Sequence, residues 1–253
     1  MTSYVQEFGF LVVVNSHFKV LGISANALKQ ASLQQDDILD KPIALYFNHL
    51  FASEQPQLLA MLGQLVSNEI PRQVITKKIG DKFYYFKLSY HKSQIFIEWE
   101  LQQKKLISAS KMNELGFLFE PSYPLQWKLV CQGVNNLVNY DRVIVLQIFE
   151  AGHSKVIAEH SKNKKKMYGD EILSPSFMPR SVYSYYQSIP YRYIPNVHAM
   201  HQEFAHVAGV QIDLLTCQLN NLPEIHDIYL KSINVAAAIF FPLFMDGIFW
   251  GMV

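Results

Sequence analysis

The sequence predicts an α+β fold with two domains, each an antiparallel sheet flanked by helices. The first observation is composition: half of the 253 residues are hydrophobic and 17% are charged, which is typical of folded globular chains. The second is that runs rich in β-branched and aromatic residues recur in both halves, with helical patterns between them. The third is a break with two prolines, at residues 120–124, which separates the halves.

The first half is predicted to contain two strands, then three short helices, then three more strands. The strands cover residues 8–15, 18–24, 72–80, 82–91 and 93–102, and the helices cover residues 26–33, 41–51 and 55–65. The last helix carries leucines on one face, and the residues of the strand at 82–91 alternate between two faces. This order resembles that of a PAS domain.

The second half restarts after a polar, helix-compatible connector at residues 104–118. Its predicted helices cover residues 124–137, 181–187 and 223–232, and its predicted strands cover residues 142–150, 154–158, 192–196, 235–243 and 248–253. Asp246 and Gly247 form the predicted tight turn before the last strand. Residues 198–221 show no regular pattern and are predicted to be irregular. This order resembles that of a GAF domain.

Six short motifs carry a resemblance to the PAS–GAF module of the phytochrome and bacteriophytochrome family. In chain order they are VQEFGFLVVVN, FKLSYHKSQIFIEWELQ, YDRVIVLQIFEAGHSKVIAE, SVYSYYQSIPYRYIPNV, LNNLPEIHDIYLKSINV and MDGIFWG. The resemblance implies a PAS domain at residues 1–119 and a GAF domain, incomplete at its C-terminus, at residues 120–253. It also implies a sensory role in signal transduction, so the chain is not expected to be an enzyme.

The resemblance implies a bilin-binding site in the GAF domain. The residues that correspond to the family's contact positions are Phe177, Tyr186, Arg192, His226 and Tyr229. A cysteine thioether anchors the bilin in the family. This cysteine lies upstream of the PAS domain in bacterial members and immediately precedes the pocket histidine in plant-type members. Ile225 stands at that position here, and neither of the two cysteines, Cys131 and Cys217, stands at an anchoring position.

Other positions also depart from the family pattern. Phe177 stands for the aspartate of the family's PASDIP motif, and Asn220 stands for a second arginine. Ala238 and Phe240 replace a serine pair, and Leu146 replaces a tyrosine that packs on the chromophore rings. Losing several charge-assisted bonds, each worth about 1.5–3 kcal/mol, removes roughly 5 kcal/mol, or three to four decades of affinity. Covalent attachment is therefore predicted to be lost, and bilin binding to be weakened or absent.

Three functions stay open on the sequence alone. The first is a regulatory module that binds a protein partner or a different small-molecule ligand in the GAF pocket. The second is a photoreceptor that binds a biliverdin-type bilin non-covalently through Tyr186, Arg192, His226 and Tyr229. The third is an interaction scaffold with a filled pocket. Two structural alternatives also stand: local carbonyl groups hold Arg192, and His226 is a polar residue on a helix whose ligand is gone.

Composition limits the partners that we expect. A net charge of +1 gives no electrostatic footprint for nucleic acid, and the longest apolar run, residues 233–245, is too short to span a membrane. Two cysteines and no targeting segment predict a cytoplasmic protein. His198, His201 and His206 do not have the spacing of a metal site, so no metal is expected.

The two ends of the sequence carry further expectations. About seven residues precede the first predicted strand, so threading of the N-terminus through a GAF loop, as in phytochromes, is not expected. The sequence stops inside its last strand, which would leave apolar surface exposed. We therefore expect a homo-oligomer or an additional C-terminal segment, with output through that segment or through a protein partner.

Overall fold

The computed structural model describes residues 3–67, 72–102, 126–149, 152–162, 168–175 and 178–253. The strands are β1 (Ser3–Gln6), β2 (Gly9–Asn15), β3 (Val20–Ser24), β4 (Arg72–Ile79), β5 (Lys82–His91), β6 (Gln94–Leu101), β7 (Arg142–Ile148), β8 (Ser154–Ser161), β9 (Ile172–Leu173), β10 (Arg192–Ile194), β11 (His201–His206), β12 (Ala238–Phe240), β13 (Pro242–Met245) and β14 (Ile248–Met252). The helices are α1 (Ala25–Ala31), α2 (Gln35–Ile38), α3 (Ile43–Leu50), α4 (Gln55–Val66), α5 (Trp127–Val138), α6 (Tyr183–Gln187) and α7 (Glu224–Ser232).

The first compact unit joins two stretches that are distant in sequence, residues 1–103 and 194–222. Its sheet has the strand order β1-β11-β3-β2-β6-β5-β4, and neighbouring strands are antiparallel. The antiparallel pairing predicted for the first half is therefore confirmed. The strand predictions at residues 82–91 and 93–102 are confirmed as β5 and β6.

One face of this sheet packs on helices around Trp99. The indole ring is stacked with Phe10 and Phe86, at centroid distances of 5.4 and 6.1 Å, and meets Phe51 edge-on at 5.8 Å. Its Nε1–H donates to the Gln30 side chain over 3.2 Å, which satisfies the one polar group of this aromatic core residue. Residues of α1, α3 and α4 complete the same core.

The segment of residues 194–222 covers the opposite face of the sheet. Cys217 and Leu219 from this segment pack with Leu11, Val13 and Phe96 of the sheet. The prediction that residues 198–221 are irregular is wrong for His201–His206, which form β11 between β1 and β3. This strand shows no clear hydrophobic alternation, and its partners lie at the other end of the chain. Local pattern therefore could not reveal it.

The second compact unit comprises residues 104–193 and 223–253. Its larger sheet has the strand order β13-β14-β7-β8-β9. Helix α5 packs on this sheet through Cys131, which contacts a small core that includes Val145 and Ala158. Trp127 at the start of α5 stacks on Trp250 of β14, with centroids 5.3 Å apart and ring planes 16° apart.

The strand predicted at residues 235–243 is two shorter strands. β12 pairs with β10 in a separate two-stranded sheet, whereas β13 pairs with β14. The change of partner falls at Phe241, whose N–H donates to the Val253 carbonyl over 2.8 Å. Pro242 follows directly and has no N–H to donate, so a single uninterrupted ladder cannot run through this stretch.

Two predictions concern residues that the structure does not describe. The boundary placed between residues 119 and 120, and the helix-compatible connector at residues 104–118, both lie outside the described ranges. Within the described ranges, no helix is both long enough and apolar enough to cross a membrane.

Candidate functional site

Tyr186 and His226 form a buried pair in the second unit. Tyr186 lies on α6, and His226 lies in the first turn of α7. A hydrogen bond joins the Tyr186 hydroxyl to Nδ1 of His226, and the two rings meet almost at right angles with centroids 5.3 Å apart. Tyr186 is fully buried and His226 is 1% exposed, so each gives the other a polar partner away from water.

Aromatic rings enclose this pair. The Phe240 ring, from β12, lies 5.1 Å from the Tyr186 ring and 5.4 Å from the imidazole. Tyr229, also on α7, stacks on the imidazole at 6.0 Å, and Tyr185 meets Tyr186 edge-on at 5.0 Å. We call Tyr185, Tyr186, His226, Tyr229 and Phe240 the aromatic cluster.

Burial sets the protonation states within the aromatic cluster. Because the surrounding rings solvate a cation poorly, burial lowers the pKa of His226 to about 4. Burial also raises the pKa of Tyr186 well above its usual value; Tyr185 adds to that rise and Arg192 opposes it. Both groups are therefore uncharged near neutral pH, and the tyrosine hydroxyl can donate to a neutral imidazole.

Arg192 lies fully buried beside the cluster, at the start of β10. Its Nε–H donates to the Tyr185 carbonyl over 2.8 Å, and its Nη2 donates to the Ser188 hydroxyl over 2.8 Å. The guanidinium carbon lies 4.0 Å from the centre of the Tyr185 ring, which is a cation–π distance. A local main-chain carbonyl therefore holds Arg192, as the structural alternative for this residue predicts.

Tyr229 connects the aromatic cluster to a charged group. Burial raises its pKa, Tyr168 and Glu171 add to that rise, and Arg142 opposes it. The Arg142 guanidinium lies 4.6 Å over the Tyr168 ring, and its Nε is 3.1 Å from the buried carboxylate of Glu159. Tyr229 thus has a half-buried ring against His226 and a hydroxyl in the field of an ion pair.

The structure brings four of the five sequence-predicted site residues into the second unit. Tyr186, Arg192, His226 and Tyr229 lie together in the described residues, whereas Phe177 lies outside them. Ile225 occupies the anchoring position with 44% of its surface exposed. Asn220 lies instead in the first unit, where it forms a β-bridge with Val5.

The residue before His226, where plant-type members of the phytochrome family carry the anchoring cysteine, is not a cysteine. Ile225 has no nucleophilic atom, so it cannot form a thioether. Arg192, the cation expected for a propionate, already bonds a carbonyl and a hydroxyl of its own neighbourhood. The Phe240 ring packs on both members of the Tyr186–His226 pair where the family has a hydroxyl. The Tyr186, His226 and Arg192 side chains bond to groups of the protein within an aromatic lining.

Sequence reasoning did not single out Tyr185 and Ser188 as the partners of Arg192. Both lie in the same tyrosine-rich motif, SVYSYYQSIPYRYIPNV, as Tyr186 and Arg192. The bond to Tyr185 uses a main-chain carbonyl, so no side-chain signal could have revealed it.

The histidines at residues 198, 201 and 206 lie in the segment that the first unit includes. Across the described ranges, no group of three or more His, Cys, Asp or Glu side chains is arranged to hold a metal ion.

Comparisons with known proteins agree with this architecture. A family model described as PAS fold matches residues 1–102. The chain is 23% identical to the phytochrome-like protein Cph1 of Synechocystis sp., over 98% of this chain and 35% of that protein. It is 24% identical to cyanobacterial phytochrome A of Nostoc sp., over 96% of this chain and 32% of that protein. The chain thus spans about a third of the length of these two relatives.

Solved structures show the same fold. The chromophore-binding domain of a Stigmatella aurantiaca bacteriophytochrome matches with a TM-score of 0.82 at 20% identity, over 99% of this chain and 85% of that one. The chromophore-binding domain of an unusual bacteriophytochrome from R. palustris matches with a TM-score of 0.82 at 22% identity, over 99% of this chain and 84% of that one. Residues 1–102 thus match the PAS fold model, and the chain as a whole has the fold of bacteriophytochrome chromophore-binding domains.

Proposed function

We propose that this chain is a sensory or regulatory module of a signalling protein in which covalent bilin attachment is lost and bilin binding is weakened or absent. The observation that carries the proposal is the closed aromatic cluster. Tyr186 and His226 bond each other, and the Phe240 ring packs on both. A bilin that used these two side chains would first have to separate them and displace that ring.

The energetic argument is one of competition. Leaving a buried donor or acceptor unpaired costs about 1–3 kcal/mol, so a ligand must replace the Tyr186–His226 bond with one at least as good. Arg192 likewise already donates to the Tyr185 carbonyl and the Ser188 hydroxyl, so a ligand carboxylate would compete with these two bonds. These local bonds reduce the net free energy that bilin binding could gain at Tyr186, His226 and Arg192.

A second candidate is a photoreceptor that holds a biliverdin-type bilin non-covalently. The observation in its favour is that Tyr186, Arg192, His226 and Tyr229 are all retained and lie in one compact unit. Under this reading the local bonds of Arg192 and His226 would exchange for bonds to the pigment. A third candidate is an interaction scaffold in which the aromatic cluster serves as core.

The experiment mixes the purified chain with biliverdin, removes free pigment by gel filtration, and records visible spectra before and after red light. We expect the wild type to lose the pigment. The variant Phe240→Ser removes the ring and supplies a hydroxyl, so we expect it to bind biliverdin about tenfold more tightly. Phe244→Ser, at an exposed residue of β13, is the matched control. A retained, photoconverting band in the wild type would overturn the proposal in favour of the second candidate.

We further propose that a non-bilin small molecule or a protein partner binds the chain. We also propose that the chain is cytoplasmic and does not catalyse a reaction. A ligand that binds only the folded state raises the midpoint of thermal unfolding, so a thermal-shift screen separates a ligand-binding module from a filled scaffold. Output would pass to a protein partner or a C-terminal output domain, and light scattering would test the expected homo-oligomer. Nucleic acid and membrane are not among the partners that we propose.

A further inference from the structure

Arg192 holds both the main chain and the ring of Tyr185. Its Nε–H donates to the Tyr185 carbonyl over 2.8 Å, and the guanidinium carbon lies 4.0 Å from the centre of the Tyr185 ring. Both residues are buried, so this cation–π contact forms away from water, where it is strongest. Because the guanidinium is planar with its donors in a fixed geometry, the two contacts together set the position of the Tyr185 main chain and the tilt of its ring.

The Ser188 hydroxyl keeps the guanidinium in this place. It accepts a hydrogen bond from Nη2 of Arg192 over 2.8 Å and donates one to the Tyr185 carbonyl over 3.1 Å. The Tyr185 carbonyl thus accepts from both Ser188 and Arg192, and each of the three groups is bonded to the other two. This closed set of bonds lies within residues 185–192, all of which belong to the second unit.

Helix α6, which carries Tyr185 and Tyr186, is too short to fix its own geometry. It has five residues, and its last turn contains the Tyr185 carbonyl that Ser188 and Arg192 bond. An isolated helix of this length is unstable in water, so its geometry depends on contacts with side chains outside it. Ser188 and Arg192 both lie beyond the end of α6 and supply such contacts.

Tyr185 connects Arg192 to the buried Tyr186–His226 pair. The Tyr185 ring meets the Tyr186 ring edge-on at 5.0 Å, and the Tyr186 hydroxyl bonds Nδ1 of His226. Because Tyr185 and Tyr186 are adjacent in the chain, a rotation of the main chain at Tyr185 also turns the Tyr186 side chain. A hydrogen bond weakens steeply as its angle departs from linear, so a small turn is enough to loosen the bond to His226.

We propose that Arg192 is a positioning residue for the Tyr186–His226 hydrogen bond, acting through Tyr185, and that the Ser188 hydroxyl is required for this role. The inference goes beyond the function proposed above, because it concerns how the pair is held and applies whichever ligand or partner the chain binds. Its consequence is that the loss of one hydroxyl at the end of α6 alters a hydrogen bond to α7.

The test uses NMR on the full chain, with the imidazole ¹⁵N signals of His226 assigned by their loss in His226→Gln. Tyr186→Phe, which lacks the hydroxyl, gives the signal positions for a broken bond. In Ser188→Ala the guanidinium loses one acceptor, so we expect exchange of the Tyr186 hydroxyl proton with water to accelerate about threefold or more. The His226 signals should move in the same variant toward their Tyr186→Phe positions. Arg192→Lys cannot make the Nε bond and the planar stack together, so it should move the signals further and accelerate exchange about tenfold or more.

Two controls separate positioning from general destabilisation. Ser188→Thr keeps the hydroxyl, so it should retain the wild-type signals and exchange rate. Val145→Ala shortens a fully buried side chain of β7 in the core that includes Cys131 of α5, so it should lower the unfolding midpoint and leave the His226 signals in place. The proposal is overturned if Ser188→Ala leaves the His226 signals at their wild-type positions, if Val145→Ala moves them as far, or if Ser188→Thr moves them as Ser188→Ala does.

Discussion

His226 shows at the scale of one residue how an imidazole can be accommodated in an aromatic core. Its imidazole is almost fully buried between the rings of Phe240 and Tyr229 and bonded to the Tyr186 hydroxyl. The rings supply apolar contact and the hydroxyl satisfies one ring nitrogen, so the site stabilises the neutral imidazole. The proton equilibrium of His226 therefore reports on the packing of the whole cluster.

The first prediction concerns the pH dependence of stability that His226 creates. Unfolded, this histidine takes up a proton near pH 6.5, whereas burial lowers its folded pKa to about 4. Between these values the unfolded state binds more protons, so the free energy of unfolding falls as pH falls through the window. The contribution lost is at most about 3 kcal/mol. Urea unfolding of wild type and His226→Gln between pH 7 and pH 4.5 measures it.

The variant should show a shallower pH slope than wild type in that window. His201→Gln, at an exposed position on β11, serves as the control and should leave the slope as it is. Equal slopes for wild type and His226→Gln would show that the buried imidazole does not contribute, and that the aromatic cluster is open to water.

At the same scale, the sequence could identify residues but not their partners. Tyr186 and His226 were recognised from motif positions, and the structure joins them. The carbonyl that bonds Arg192 could not be predicted, because every residue has a carbonyl and only the fold selects one. Asn220 shows the opposite case: its motif position suggested the pocket, but the segment around it belongs to the first unit's sheet.

At the scale of elements, strands with a local signal were predicted and strands without one were missed. β5 and β6 have β-branched and aromatic residues along their whole lengths, and their predicted bounds agree with the structure to within one residue at each end. β11 is mostly polar and exists because β1 and β3 lie on either side of it. Pro242 divides one apolar run between two sheets, which hydrophobicity alone does not reveal.

The second prediction concerns the pairing of β14 with β7. A Cβ on Gly251 would lie 2.0 Å from the Leu146 carbonyl oxygen, and that contact is with main chain that cannot rotate away. Gly251→Ala should therefore separate these strands and lower the free energy of unfolding by roughly 2–4 kcal/mol. Chemical denaturation measures the loss, and hydrogen exchange should place it in β7 and β14.

Gly63→Ala is the control for the change from glycine to alanine. Gly63 lies in α4, where an added Cβ meets nothing within 4 Å. Alanine should stabilise that helix by up to about 1 kcal/mol, through its better helix propensity and a less flexible unfolded chain. If Gly251→Ala were as well tolerated as Gly63→Ala, the result would show that β14 and β7 do not approach each other this closely.

At the scale of the whole molecule, the PAS family model matches fewer residues than the first compact unit contains. The family match covers residues 1–102, whereas the first unit also takes in residues 194–222. That later segment supplies β11 to the sheet and buries Leu11, Val13 and Phe96 under its own side chains. Without it, a fully buried apolar face and the inner edge of β1 would be exposed to water.

The third prediction follows from this shared unit. A fragment of residues 1–103 should not fold as a stable domain, because it lacks the strand between β1 and β3 and the cover of one sheet face. We expect weak near-UV circular dichroism, association in gel filtration and no cooperative urea transition. The full chain, measured in parallel, should unfold cooperatively.

A fusion that joins residues 194–222 to residue 103 through a long Gly/Ser linker is the matched positive control. It restores the missing strand and the apolar cover while leaving out the rest of the second unit, so it should regain a cooperative transition. Removing the Phe204 ring from that fusion, by Phe204→Ala, should cost about 3–5 kcal/mol, because this side chain is buried in the core that the segment forms. Cooperative folding of residues 1–103 alone, with the same midpoint as the fusion, would show that the segment only rests on a domain that is already complete.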